Sequence, residues 1–423
     1  MNKLSVLRLV IQYTGFMKKL SITVTFILFL SVLSVQQASA GERGTGAAAQ
    51  EDSEKTKVDF SYGGKGWQME LDDRFLMSLE FRLQFRTLVD SNPDENTFNV
   101  QRARMKVDGY AFQHWLEYFM EFDFRTPSLL NFEFTLAKLD ELQFKLGQWK
   151  ISYNTERFIS SGKQQFVDRT ISNRFFTFDR QIGIMVQGDL FKDRIGCTSY
   201  RLGIFNGDGR MNVNNNGKFL YFGRLQWNFS RKVMKMSFGD LSRVEKPEGF
   251  IAFSAVWNES PYTSFTTGGA GKDSGGQLPG YDQGGDEWYL LRQMGFELMF
   301  KYRGFSLMSE NHVKSIDDRS AGGTLEHSLI YGGYVMAGFF PGEFIGFMPD
   351  PLEIVFRYSL VSNTLYSEML SEYGVALNWY FSGHRNKLTT DVSYLENDVS
   401  GEEFTDLTYS DHIRFRFQWD VSF

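Results

Sequence analysis

The chain has 423 residues, 42% hydrophobic and 16% aromatic, with 42 Phe, 8 Pro, one Cys and a formal charge of −6. The aromatic content excludes a disordered chain, and the lone Cys197 excludes a disulfide scaffold. The acidic balance speaks against a nucleic-acid partner, because phosphate neutralisation needs a basic face.

From Met17, Lys18 and Lys19 precede an apolar run to Leu33 and a small-residue Ala38-Ser39-Ala40 site. These are the marks of an export signal, so residues 1–40 are predicted to be a signal peptide, with Met17 an alternative initiator. Its removal takes away Lys3, Arg8, Lys18 and Lys19 and no acids, so the exported chain is more acidic still. Residues 41–70 are predicted to be a flexible periplasmic lead, too short for a plug domain, and residues 71–423 a barrel domain. Beyond residue 40 no apolar run reaches about 18 residues, so no helix spans a bilayer. A closed barrel is the other structure that satisfies its own backbone hydrogen bonds in lipid.

Period two begins at Phe75. Phe75, Met77, Leu79, Phe81, Leu83 and Phe85 face one way, and Ser78, Glu80, Arg82, Gln84 and Arg86 the other. The same alternation ends the chain, with Ile413, Phe415, Phe417, Trp419, Val421 and Phe423 against Arg414, Arg416, Gln418, Asp420 and Ser422. A terminal Phe in such a strand resembles the recognition signal of bacterial outer-membrane barrels. Sixteen strands are predicted, at 74–88, 98–110, 115–124, 131–138, 141–150, 180–190, 195–205, 218–229, 250–258, 288–302, 305–315, 326–340, 351–361, 371–381, 386–396 and 410–423. Short turns alternate with longer polar connections, the asymmetry of short periplasmic turns and long external loops. The stretch 231–249 is long for a turn, so eighteen strands is the competing count. The fold class is therefore all-β: a transmembrane antiparallel β-barrel of about 16 strands with an inward-folded constriction loop.

That loop is the connection 151–179. Its aromatics, Tyr153, Phe158, Phe166, Phe175, Phe176 and Phe178, argue for packing inside the barrel, and it carries Arg157, Lys163, Arg169 and Arg174 beside Asp168. Closure of the barrel sets the last predicted strand beside the first two. Alternation then points Arg82, Arg86, Arg102, Arg104, Lys106, Arg414 and Arg416 inward from one wall. Glu117, Glu121, Asp123 and Glu133 point inward from the next two strands. The lumen is expected to be segregated by sign, with anions focused along the basic side.

Gly147-Gln148-Trp149-Lys150-Ile151-Ser152-Tyr153-Asn154-Thr155-Glu156, Ser160-Ser161, Phe166-Val167-Asp168-Arg169, Arg180-Gln181-Ile182-Gly183 and Arg102-Ala103-Arg104 with Gly109 resemble the central motifs of the phosphate-selective porin (O and P) family. The resemblance implies a sixteen-stranded homotrimeric channel in the outer membrane, in contact with its lipids, for small anions such as phosphate or polyphosphate. It also implies that Lys163 matches a constriction lysine, and Arg102 and Arg104 part of an arginine ladder. Ser152-Tyr153 stands where the family has Pro-Phe, and Asp168-Arg169 where it has Glu-Arg.

Enzymatic chemistry is not expected. His114, His312, His327, His384 and His412 show no metal-ligand spacing and are predicted to be interfacial or solvated, and Gly268-Gly269 to Gly285 lacks the Lys-Ser/Thr of a phosphate loop. No cofactor or metal is expected. Two other readings stay open: a general, cation- or sugar-permeable porin, and a non-conducting barrel adhesin or receptor.

Overall fold

A computed structural model describes residues 58–64, 66–91, 96–211, 214, 217–265, 276–278, 281, 288–319, 327–363, 368–397 and 412–423. The export segment 1–40, residues 41–57 of the lead and most of the Gly-rich stretch lie outside the described residues.

The strands are β1 (Val58–Gly63), β2 (Gly66–Leu71), β3 (Phe75–Asp90), β4 (Thr97–Ala111), β5 (Gln113–Asp123), β6 (Ser128–Leu136), β7 (Gln143–Lys150), β8 (Arg180–Leu190) and β9 (Thr198–Phe205), followed by β10 (Leu220–Asn228), β11 (Glu248–Ser260), β12 (Tyr289–Tyr302), β13 (Phe305–Asp318), β14 (Ser328–Phe339), β15 (Leu352–Asn363), β16 (Glu368–Ser382), β17 (Asn386–Asn397) and β18 (His412–Ser422). From β3 to β18 each strand pairs antiparallel with the next. β18 returns to β3 with Ser422 opposite Arg82 and Arg414 opposite Asp90, which closes a sixteen-stranded barrel. All sixteen predicted strands are present within a few residues. No helix among the described residues is long and apolar enough to cross a membrane.

β1 and β2 correct the predicted lead. They form a hairpin whose second strand pairs with Phe75–Leu79 of β3, the part of β3 that β18 does not reach. The edge left by unequal strand lengths is thereby paired. These two strands lie outside the closed ring, and the described stretch 229–247 adds none, so the ring count is sixteen.

Alternation holds around the ring. On β3, Leu83 and Phe85 are exposed outward while Arg82, Gln84 and Arg86 are buried inward. β4 departs from strict alternation. Phe98 and Val100 are exposed outward, yet Arg102, Arg104 and Lys106, of the same parity, point inward. A bulge reconciles them: Gln84 pairs with Arg102 but Phe85 with Val100, so Gln101 is the extra residue that switches the phase.

The short turns gather at one end, with the connections Arg303-Gly304 and Gly383–Arg385, and the long connections at the other. Besides residues 261–265 and 276–278, which join the core from the long-loop end, two segments leave the wall for the interior: the long connection 151–179 from the long-loop end and 229–247 from the short-turn end. Met234 and Phe238 of the latter join Ile159 and Phe166 of the former in one apolar cluster with Phe250, Met299, Met308 and Val355. The two inward segments thus fill part of the lumen with an apolar core. Cys197 is buried, as is His312, whose ring nitrogen meets the Tyr153 hydroxyl at 3.0 Å, and His412 is also buried. The prediction of interfacial or solvated histidines fails for these two, because each lies on the inward phase of its strand, and for His384, whose ring nitrogens are both buried.

Candidate functional site

The connection 151–179 holds two short helices, α1 (Thr155–Phe158) and α2 (Ser172–Phe176), and a turn at Ser161–Lys163. Within β7, ahead of this connection, Gly147 has φ +126°, and a Cβ there would meet the Phe132 carbonyl at 2.1 Å, so only glycine fits. Beyond Lys150 the chain turns inward because Ile151, Tyr153, Phe175, Phe176 and Phe178 are apolar and find a core with Trp149, Phe205 and Leu291.

Polar side chains of the far wall hold the loop by its backbone. Glu310 on β13 accepts the Glu156 N–H at 2.6 Å, Asp391 on β17 that of Val167 at 2.8 Å, and Glu372 on β16 that of Ile171 at 3.1 Å. Arg224 on β10 donates to the Tyr153 carbonyl at 3.2 Å, Gln293 on β12 to that of Phe176 at 2.6 Å, and Asn378 on β16 to that of Gln165 at 2.9 Å. Backbone groups of the loop buried in the barrel are thus satisfied by buried side chains of the wall.

What remains open is a cavity of about 490 Å³ between the loop and the wall from β3 to β7. Seven Lys and Arg side chains line it, Arg82, Arg104, Lys106, Lys145, Lys150, Lys163 and Arg385, against four carboxylates, Glu80, Asp108, Glu121 and Glu133. A second cavity of about 290 Å³ shares Asp108, Glu133 and Lys145 with it and adds Glu117.

The seven bases predicted on the basic wall are brought together but are not free. Arg104 pairs with Glu121 at 3.1 Å and Asp123 at 2.9 Å, Lys106 with Glu80 at 2.7 Å, and Arg414 with Asp90 at 3.1 Å. Arg82 lies 3.6 Å from Asp420 and donates to the Ser160 hydroxyl at 2.8 Å. Arg86 and Arg416 both hold Asp168, at 2.9 and 3.2 Å, and Arg416 also pairs with Asp391. Arg102 donates to Gln84 at 2.6 Å and has no carboxylate partner among the described residues. The expected segregation by sign is overturned at β4 and β5. Their register sets Arg104 opposite Asp123 and Lys106 opposite Glu121, and opposite charges facing each other across a ladder pair.

The loop residues divide by task. Arg157 pairs with Asp179 at 2.8 Å, and Arg169 donates to the Glu156 and Ile159 carbonyls at 2.9 Å, so both brace the loop. Burial alone would raise the carboxyl of Asp168, but Arg86 and Arg416 outweigh it and hold it well below its usual range. Burial, and then the Glu310 carboxylate, push Glu156 up to about 7. Arg174 is half-buried. Lys163 differs from all of these: its side chain is exposed to the cavity and has no carboxylate partner among the described residues. Its backbone is fixed, the N–H bonding Ser160 and the carbonyl accepting the Phe238 N–H at 3.1 Å.

Sequence reasoning passed over Lys150, Arg180, Arg385 and His384. Lys150 has no carboxylate partner among the described residues and donates to the Arg157 carbonyl at 3.3 Å. Arg180 ties Glu121 and Asn131 together at 2.8 and 2.7 Å. Lys150 shares the inward phase of Gln148 on β7, and that phase was the available signal.

No family model matches the sequence, and no curated protein matches it. Solved structures do match the fold. OmpT of Vibrio cholerae in a trimer form is 11% identical with a TM-score of 0.54, covering 83% of this chain and 100% of that one. An anion-selective porin from Comamonas acidovorans is 8% identical with a TM-score of 0.54, over 82% and 99% of the two chains. The outer-membrane channel DcaP of Acinetobacter baumannii is 9% identical with a TM-score of 0.52, over 83% and 98%. The chain has the fold of the outer-membrane barrels. Among these neighbours are an anion-selective porin and an outer-membrane channel.

Proposed function

We propose that the protein is an outer-membrane porin for passive diffusion of small anions, phosphate among them, through the space between the inward loop and the wall from β3 to β7. One observation carries this reading: the cavity there is lined by more cations than carboxylates, and Lys163 and Lys150 face it without carboxylate partners among the described residues. A focused positive potential at a constriction raises the local anion concentration and lowers that of cations. The paired bases contribute less, because each is cancelled locally by its acid. Arg102, Lys150 and Lys163 are therefore assigned the anion path, Arg82, Arg104 and Lys106 its wall, and Arg86, Arg414 and Arg416 the frame. Assembly as a homotrimer belongs to the same reading, supported by the trimer form of one fold neighbour.

The test is the reversal potential of the purified protein in planar bilayers under a salt gradient, with phosphate titrated as a blocker. Anion-directed reversal that falls on Lys163→Glu supports the reading. Cation-directed reversal overturns it while keeping the barrel, and absence of current favours a closed adhesin or receptor.

A further inference from the structure

His384 lies in the turn 383–385 between β16 and β17, at the short-turn end of the larger cavity, which it helps to line. Both of its ring nitrogens are buried, and neither has a hydrogen-bond partner among the described residues. The Nε of Arg82, on the same cavity, is also buried without a hydrogen bond, 3.6 Å from Asp420. Buried polar atoms without partners are uncommon in native proteins and call for an explanation.

The surroundings say what would satisfy them. Cations from four elements face the imidazole: Arg82 from β3, Lys163 from the loop, Lys301 from β12 and Lys387 from β17. Tyr380 of β16 meets its ring edge-on at 5.6 Å, and Arg385 follows it in the turn. The nearby carboxylates are engaged, Asp420 by Arg82 and Gln84, and Glu353 by Gln165, Asn378 and Tyr380. Burial, then Lys387 and Lys163, hold the imidazole well below its usual pKa, so it is neutral at pH 7 in these surroundings. Asp240 and Glu248 act on Lys301, and Glu80 on Lys163, but no carboxylate among the described residues bonds the imidazole.

We propose that His384, Arg82 and Lys163 form an oxyanion station at the short-turn mouth of the bore, taking a small phosphate-type anion. The imidazole acquires a proton from bulk water as the anion arrives. The proposal deepens the porin reading and rests on it. A tetrahedral oxyanion can accept from the guanidinium Nε, the ammonium and an imidazolium N–H together, and it replaces the cation repulsion around the ring by attraction. Binding and protonation are then linked, so each favours the other. The position inside the lumen selects a free anion over a lipid headgroup.

Carbon-13 histidine NMR of the purified protein in detergent micelles, titrated from about pH 5 to 9 with and without inorganic phosphate, reads the linkage directly. His384 is assigned from His384→Gln, with His384→Phe as a control that keeps ring volume. Phosphate is expected to raise the His384 midpoint by about one unit. Calorimetry should show the wild type gaining phosphate affinity over His384→Gln by up to about threefold as pH falls from 8 to 6, because the free midpoint lies below most of this range. A His384 midpoint unmoved by saturating phosphate overturns the station. If anion-selective current persists in that case, the porin reading stands. A phosphate-shifted His384 in a protein that passes no anions overturns the porin reading and keeps the station as a binding site.

Discussion

Gly162 lies flat against the guanidinium of Arg82: a Cβ at position 162 would fall 0.7 Å from Nη2 and 1.8 Å from Cζ. The constriction turn can approach the β3 wall only because this residue has no side chain. Gly162→Ala is expected to push Arg82 off Ser160 and to destabilise the folded barrel by about 1–3 kcal/mol, the usual cost of overpacking. Unfolding in denaturant with detergent measures the loss. An unchanged midpoint, together with unchanged conductance, would mean that Arg82 swings aside freely and does not set the bore.

Asp168 ties the inward loop to the seam between β3 and β18, accepting from Arg86 and Arg416. Its carboxyl is held below the ordinary Asp value, so the folded state binds fewer protons there than the unfolded one. That contribution is present above about pH 4 and lost as pH falls further. Asp168→Asn should cost about 1–2 kcal/mol at neutral pH, a discounted figure because the carboxylate is 40% exposed. It should also flatten the acid limb of the stability curve. An acid limb identical to that of the wild type would assign acid sensitivity elsewhere.

Glu156 behaves in the opposite sense. Its pKa is raised by burial first and by Glu310 next, so the packed loop gains stability below the unfolded value near 4.5 and loses it as pH rises through about 7. Amide hydrogen exchange in 151–179 should therefore quicken from pH 6 to pH 8.5 by more than the intrinsic pH dependence of exchange. Glu156→Gln, which keeps an acceptor for the Thr170 N–H, should remove the excess. Equal excess in the variant would show that another group loosens the loop.

Lys314 holds two inward segments at once, donating to the Phe175 carbonyl at 3.1 Å and to that of Thr263. Lys314→Met leaves both carbonyls without this donor and should destabilise their packing by about 1–3 kcal/mol. Single-channel records should then show added open-state noise. Quiet records and unchanged exchange at residues 175 and 263 would count against a clamp.

Deleting Gln101 removes the bulge that separates Val100 from Arg102. Without it, outward Phe98 and Val100 cannot coexist with inward Arg102, Arg104 and Lys106, and one set must cross to the wrong side. The deletion is expected to abolish the compact, heat-modifiable form on gels. A normally folded deletion variant would show that the bulge is dispensable.

Period two along the chain, and the apolar residues it sorts outward, made the barrel strands and their faces legible, while the choice between sixteen and eighteen was decided by the pairing of β18 with β3. Alternation is a local property, set by adjacent peptide units and by the solvent on each side. The aromatic richness of 151–179 likewise pointed inward, because aromatic groups in a polar lumen seek a core. Partnership was not legible. Whether Arg104 is free or cancelled depends on the register that places Asp123 across from it, and Arg86 and Arg416 meet Asp168 across 82 and 248 residues of sequence. The hairpin β1–β2 escaped notice because its pairing site exists only once β18 stops short of the end of β3. Lys163 and His384 share one cavity because a loop from one end and a turn from the other converge there. Such convergence is decided by closure of the barrel and by the packing of Met234, Phe238, Ile159 and Phe166, contacts whose energy depends on where distant segments arrive and leaves no periodic trace in the chain.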